Sequence, residues 1–278
     1  MIKRAGDAIA GNRIDSMKNQ FQGFVDGAVK LLKADSRLRG LAIGGSWITG
    51  ELDEFSDLDL VVVSCDEDYP QVLRDRLRIA KSLGDMVSSF TGEHVGEPGL
   101  VICLFKNPLL HVDLQFVALK DFGDRIENPW IAWERGAQLT EIINKSPVRP
   151  IRPDSQWIED RFWTWIHYGA AKLARGEYFE VISTLNFLRE VVLGPLAMDY
   201  HGKLPRGVRR IEKQLPEFAS RLQETVASCD YQSCLIALQR TAQLYKDLRS
   251  SINHKGLKFR TEAETESLTY LDRVKRLN

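Results

Sequence analysis

The chain has no excess charge: 38 Lys and Arg stand against 38 Asp and Glu in 278 residues. Non-specific binding to long nucleic acid rests on a surplus of cationic side chains. Its absence argues against a nucleic-acid partner and favours a small or cationic one. Cysteine is scarce. Cys65, Cys103, Cys229 and Cys234 have neither the paired spacing of a zinc site nor the density of a disulfide framework. Their apolar neighbours predict buried thiols in a reducing compartment. The sequence shows no window approaching the roughly 18 apolar residues of a membrane span. The N-terminal MIKRAGDAIAGNRID lacks the apolar run of a signal peptide, so the expectation is a cytoplasmic protein without a membrane partner. Internal repeats and low-complexity tracts are also missing. What remains, 44% hydrophobic and 27% charged residues, is globular in composition, and 278 residues fit two domains better than one core.

The informative stretch runs from Leu41 to Val63, LAIGGSWITGELDEFSDLDLVVV. A short apolar strand over Leu38–Ile43 ends in Gly44-Gly45-Ser46, with Trp47 to Thr49 as the first turn of a short helix. After a polar loop, a second strand is predicted over Asp57–Val63. Asp57 and Asp59 are one residue apart, so on a strand they point to the same face. Val61, Val62 and Val63 leave that strand no polar face, which predicts a central place in its sheet.

Around this stretch the pattern is that of an α/β domain. A helix capped by Asp15 or Ser16 carries Met17, Phe21, Phe24, Val25, Ala28, Leu31 and Leu32 at three- and four-residue intervals. Tyr69–Leu83 has helical spacing. A Gly-rich loop leads to strands Leu100–Phe105 and His111–Leu119, joined as a hairpin by Lys106-Asn107-Pro108. On the second of these, His111, Asp113 and Gln115 share one face. Residues 122–143 read as partly helical. Three prolines at 147, 150 and 153 then favour an extended segment. The predicted organisation is therefore a catalytic α/β domain with a small mixed sheet over 1–146, a Pro-rich linker over 147–156, and an all-α helical bundle over 157–278. One bundle helix is predicted to stop at Gly194-Pro195, and a later one to carry Phe218, Leu222 and Val226.

A carboxylate in the middle of an apolar strand is costly to bury alone. Asp113 gains a reason to be there if it meets Asp57 and Asp59 around cations. Phosphoryl and nucleotidyl transfer need positioning and charge neutralisation above all, and two Mg2+ ions held by carboxylates supply both. Gly45 and Ser46 can bind the terminal phosphates of a nucleotide. Asp57 and Asp59 can hold metal, and Asp113 can complete the metal site and accept a proton. Taken singly, each part also has an ordinary structural reading: a turn, a strand start, an edge salt bridge.

Together, apolar-Gly-Gly-Ser, an Asp-Leu-Asp opening eleven residues after Ser46, and a later strand with a lone Asp resemble the nucleotidyltransferase superfamily typified by DNA polymerase β and the antibiotic nucleotidyltransferases. That resemblance spans Gly44–Asp113. LVICLFKNPLLHVDLQFV and FWTWIHYGAAKLARGEYFEVISTLNFLRE look like segments of the aminoglycoside 6-adenylyltransferase type, a looser likeness over most of the chain. The resemblance implies transfer of an NMP, AMP from ATP, to a hydroxyl of a small-molecule acceptor such as an antibiotic. In that reading Gly45 and Ser46 bind nucleotide, Asp57, Asp59 and Asp113 are the metal-binding and catalytic carboxylates, and the acceptor lies between the domains. Lys172 stands where such helical domains offer a basic side chain to the phosphates. Trp47 occupies the place where the aminoglycoside type has Arg, closer to the lincosamide-type pattern. Glu51, Asp53, Glu54, Glu93 and Glu97 are either lining for a cationic acceptor or ordinary loop acids. A competing signal is the R-x4-H spacing of Arg249 and His254, which resembles that of HEPN-type ribonucleases, often paired with minimal nucleotidyltransferases, and implies a toxin/antitoxin-type protein acting on RNA or protein. A nucleotide-binding module without turnover is a third reading.

Overall fold

The computed structural model describes residues 21–251 and 256–276. The expected cap at Asp15 or Ser16, Met17 and His254 lie outside the described residues. The chain divides into two compact units, residues 1–149 and 150–278.

The first unit is built on a six-stranded mixed sheet. Its strands are β1 (Leu38–Ile43), β2 (Leu58–Ser64), β3 (Met86–Gly92), β4 (Glu97–Phe105), β5 (Leu110–Ala118) and β6 (Trp130–Glu134), in spatial order β3-β4-β5-β2-β1-β6. Strand β2 sits inside the sheet, parallel to β5 and antiparallel to β1. Its Leu58, Leu60 and Val62 join Val112, Leu114 and Phe116 of β5 in one core. Helix α1, which covers 21–32 of the described residues, buries Phe21, Val25, Ala28 and Leu32 in that core, and helix α3 (Tyr69–Ser82) buries Val72, Ile79 and Ala80. Leu31, expected on the buried stripe, is exposed. The opposite face of the sheet, with Ala42 and Val63, is covered by Leu139 of helix α4 (Gln138–Lys145) and by Phe122.

Two strands depart from the sequence reading. Strand β3 lies in the stretch read as a loop. It is an edge strand, polar at Ser88, Ser89 and Thr91, and only Gly92 is fully buried. Such a strand takes its place from pairing with β4 and carries no apolar periodicity of its own. Strand β6 lies within residues read as partly helical. Gly136 and Ala137, both at positive φ, turn the chain from β6 into α4, the only α-helix there.

The second unit is helical: α5 (Ser155–Ala174), α6 (Tyr178–Leu188), α7 (Gly194–Tyr200), α8 (Ile211–Gln214), α9 (Pro216–Gln223), α10 (Tyr231–Ser251) and α11 (Thr261–Lys275). Asp154 caps α5 by accepting from the amides of Gln156 at 3.0 Å and Trp157 at 2.9 Å. Gly194-Pro195 does not stop the chain of helices. A π turn over Arg189–Leu193 joins α6 to α7, and Pro195 is the second residue of α7, directly after that turn. Gly194 serves a different purpose, since a Cβ there would overlap the Gly207 carbonyl. Tyr178–Tyr200 is, against expectation, long and apolar enough to cross a membrane by length and composition, with 56% of its most apolar window buried within the protein. Val181, Leu185, Leu188, Val192 and Leu193 belong to the helical core. Val226 lies beyond the end of α9 and is exposed.

A buried charge organises this unit. Glu159 is fully buried and accepts from Tyr245 Oη at 2.6 Å, Arg249 Nη1 at 2.9 Å, the Arg260 amide at 2.9 Å and Trp163 Nε1 at 3.3 Å. Arg249 also reaches Glu264 at 2.7 Å, and Lys246 pairs with Glu264 at 2.8 Å. Burial, reinforced by the bond to Glu159, pushes the Tyr245 hydroxyl well above its usual range. Of the four cysteines, Cys65, Cys103 and Cys234 are buried thiols as expected, while Cys229 is exposed.

Candidate active site

The C-terminal end of β1 and the N-terminal ends of β2 and β5 come together at one end of the sheet. Ile43 pairs with Leu60, and Leu58 with Val112. Asp59 and Asp113 stand directly opposite each other in the parallel β2–β5 ladder. Because Leu58, Leu60, Val112 and Leu114 are committed to the core, period-2 alternation turns both aspartates to the other face. Asp57 precedes β2 by one residue and has the same parity; all three aspartates are part-exposed. His111 Nε2 lies 3.0 Å from Asp113 Oδ1. Beneath them, burial, helped by the Asp113 charge, pushes the Cys103 thiol up to about 12 and keeps it neutral.

The turn between β1 and β2 is tied to the aspartates. Gly44 N donates to the Asp59 carbonyl at 2.9 Å. Gly45 has φ 61° and ψ −137°, a region closed to side chains, and a Cβ there would overlap Asp59 Oδ2. The Asp59 carboxylate therefore rests on the glycine backbone. Ser46 opens the four-residue helix α2 (Ser46–Thr49), which is a single turn and so contributes little macrodipole. Its carbonyl accepts from the Gly50 and Glu51 amides and, at 3.3 Å, from Thr49 Oγ1. Its hydroxyl is another matter. Ser46 is 4% exposed, and its Oγ has no hydrogen-bond partner in the protein. A buried orphan donor costs about 1–3 kcal/mol, and here it sits beside a turn whose backbone is stripped of Cβ atoms.

Two residues at this end of the sheet had no sequence signal, because they lie in the segment read as helical. Glu127 Oε1 accepts from the Gly45 amide at 3.3 Å. Trp130, at the start of β6 opposite Ile43, packs on Trp47 with ring centroids 5.7 Å apart and 33° between planes. Trp47 is thus half of an aromatic wall next to Ser46. The loop acids divide: Asp53 is occupied in its own loop, accepting from the Phe55 amide and Ser56 Oγ at 3.0 Å, and Glu93 pairs with Arg76 at 3.3 Å.

Lys172 belongs to the helical unit. It donates to Glu177 at 2.6 Å and lies 5.3 Å from the Tyr168 ring centroid; the Glu177 bond raises its pKa against the opposing effect of burial. Arg249 is sequestered between Glu159 and Glu264 and is 11% exposed.

The donor set suits a hard divalent cation, since the side chains are carboxylates and the neighbouring groups are backbone and hydroxyl. Among the described residues, no three His, Cys, Asp or Glu side chains are already gathered at metal-ligand separation. The Asp59–Asp113 pairing and the orphan Ser46 hydroxyl are what fit a cation and its phosphate.

No family model matches the chain, and no curated protein matches it. The chain is similar to solved nucleotidyltransferases. One is an aminoglycoside 6-adenyltransferase from Bacillus subtilis, at 16% identity over 90% of this chain and 96% of that one, with a TM-score of 0.40. Another is a nucleotidyltransferase-like protein from Exiguobacterium sibiricum 255-15, at 15% identity over 86% and 75%, TM-score 0.37. A third is the spectinomycin adenyltransferase AAD(9) from Enterococcus faecialis, solved with ATP and spectinomycin, at 12% identity over 91% and 99%, TM-score 0.30. Likeness at this level carries no residue assignment, and the reading of the site rests on its own geometry.

Proposed function

We propose that this chain is a nucleotidyltransferase that moves an NMP, AMP from ATP, onto a hydroxyl of a small-molecule acceptor of the aminoglycoside or lincosamide kind. The observation that carries this reading is the pairing of Asp59 with Asp113 across β2 and β5, next to a glycine turn that ends in a buried, unsatisfied Ser46 hydroxyl. Ser46 Oγ and the Gly45 amide donate to the nucleotide's phosphate oxygens. The missing Cβ at Gly45 makes room for the Asp59 carboxylate beside those donors. Asp57, Asp59 and Asp113 hold Mg2+, which when bound supplies Lewis-acid polarisation of the phosphates and of the attacking hydroxyl.

In the transfer, the acceptor oxygen forms a bond to the α-phosphorus, and the bond from that phosphorus to the bridging oxygen breaks, releasing pyrophosphate. The acceptor's proton passes to the Asp113 carboxylate, whose orientation His111 fixes from 3.0 Å. Lys172, held by Glu177 at 2.6 Å, is the further candidate nucleotide-binding residue.

The test is pyrophosphate release from ATP and the other NTPs, screened against aminoglycosides, lincosamides and small cellular alcohols. Asp59→Asn should retain the fold and lose turnover by a factor of about 100 or more, equivalent to about 3 kcal/mol of transition-state stabilisation. Equal turnover by the variant and the parent rules out the metal assignment.

A further inference from the structure

Glu127 has no part in the reading above, yet it lies on the glycine turn. Its Oε1 accepts from the Gly45 amide at 3.3 Å and stands 3.6 Å from where a Cβ on Gly44 would be. Asp59 Cβ is 3.9 Å from that same point. Two carboxylates therefore crowd one Gly-Gly turn, an arrangement that like charges oppose. Glu127 meets the amide of Gly45 there. Three residues further on, Trp130 is already paired with Ile43 of β1, which tethers the chain near the turn. The backbone of Glu127 is thus fixed beside the turn, while its side chain keeps three rotatable bonds. A carboxylate and a phosphate present the same thing to an N–H, an anionic oxygen.

We infer that the Glu127 carboxylate is an internal stand-in for a nucleotide phosphate, holding the Gly45 amide in the free protein and displaced from it by the triphosphate. This rests on the reading that Gly45 and Ser46 receive the nucleotide. Glu127 satisfies one donor of that receptor and leaves the other, Ser46 Oγ, unsatisfied. The entering anion must break the Glu127 bond and move its charge away, so Glu127 lowers polyphosphate affinity and sets a threshold against weaker anions. A single inorganic phosphate, with fewer contacts to offer, is excluded more strongly than a nucleotide.

The experiment is titration calorimetry of the full chain with Mg-tripolyphosphate and with a non-hydrolysable Mg-ATP analogue, on the parent, Glu127→Gln, Glu127→Ala and Ser46→Ala. Removing the charge should tighten tripolyphosphate binding about tenfold in Glu127→Ala, with a smaller gain in the near-isosteric Glu127→Gln. Ser46→Ala should weaken it. Circular dichroism checks that each variant is folded, and Glu127→Gln serves if the alanine variant is not. Unchanged or weaker binding in the Glu127 variants, with Ser46→Ala weakened, overturns the stand-in and leaves the nucleotide reading in place. No binding by the parent or by any variant overturns both.

Discussion

The Asp59 carboxylate lies against the α-carbon of Gly45, so closely that no side chain fits at position 45 without moving it. The residue that would hold metal and the turn that would hold phosphate are one mechanical unit. Gly45→Ala meets two obstacles: a Cβ colliding with Asp59 Oδ2, and a backbone at φ 61° and ψ −137° that disfavours any Cβ. Asp59 must move or the turn must reform. Thermal denaturation should show a loss of about 1–3 kcal/mol, and pyrophosphate release should fall more steeply than in Ser46→Ala, which leaves Asp59 in place.

Ser46→Ala should separate stability from function. The hydroxyl is buried without a partner, so removing it deletes a desolvation cost and stabilises the nucleotide-free protein by about 1 kcal/mol in chemical denaturation. The same change removes a donor to phosphate and weakens nucleotide binding. A variant that is less stable and binds equally well shows that the hydroxyl has no ligand role.

Glu159 and Arg249 form the buried ion pair of the helical unit, and each is costly to lose alone. Glu159→Ala leaves Arg249 with Glu264 as its remaining carboxylate and strips acceptors from Tyr245 and Trp163; the expected loss is about 1–3 kcal/mol. Arg249→Ala should destabilise the same unit. Any loss of activity in Arg249→Ala should therefore track unfolding in circular dichroism. RNA cleavage abolished by His254→Ala in a folded protein is the outcome that favours the ribonuclease reading.

Glu264 links this network to pH. Burial would raise its pKa, but hydrogen bonds from Lys246 and Arg249 outweigh burial and hold it below the ordinary 4.5. A depressed carboxylate contributes stability above the unfolded value and loses it as pH falls through the folded one. The melting-temperature gap between the parent and Glu264→Gln should be fully open at pH 6 to 7. It should close as pH drops below about 4.5. A gap that is constant across this range assigns the Glu264 contribution to packing.

Spacing along the chain carried much of the first unit. Leu38–Ile43 and the 69–83 helix follow from apolar periodicity. The common face of Asp57 and Asp59 follows from the period of a strand, and the valines after them put β2 inside the sheet. Where local pattern and tertiary demand disagree, the sequence was silent or misleading. Edge strand β3 carries Met86, Val87 and Phe90 without the alternation that would reveal it. Strand β6 is held by pairing with β1, and its aromatic run reads equally well as a helix face. Gly194-Pro195 reads as a stop, yet a π turn absorbs the proline and close packing on Gly207 requires the glycine.

For the candidate site, residue types and spacing determined the oxygen donors and the glycine turn, because a strand fixes which side chains share its face. Register is a different kind of fact. That Asp113 stands opposite Asp59, more than fifty residues away in sequence, depends on how β5 docks beside β2, and many local patterns are compatible with a shift. The tertiary structure alone placed Glu127 on the Gly45 amide and Trp130 on Trp47, since only the β1–β6 pairing carries that segment to the turn. It alone buried Ser46 without a partner. An unsatisfied hydroxyl is a property of its surroundings, and no stretch of sequence contains it.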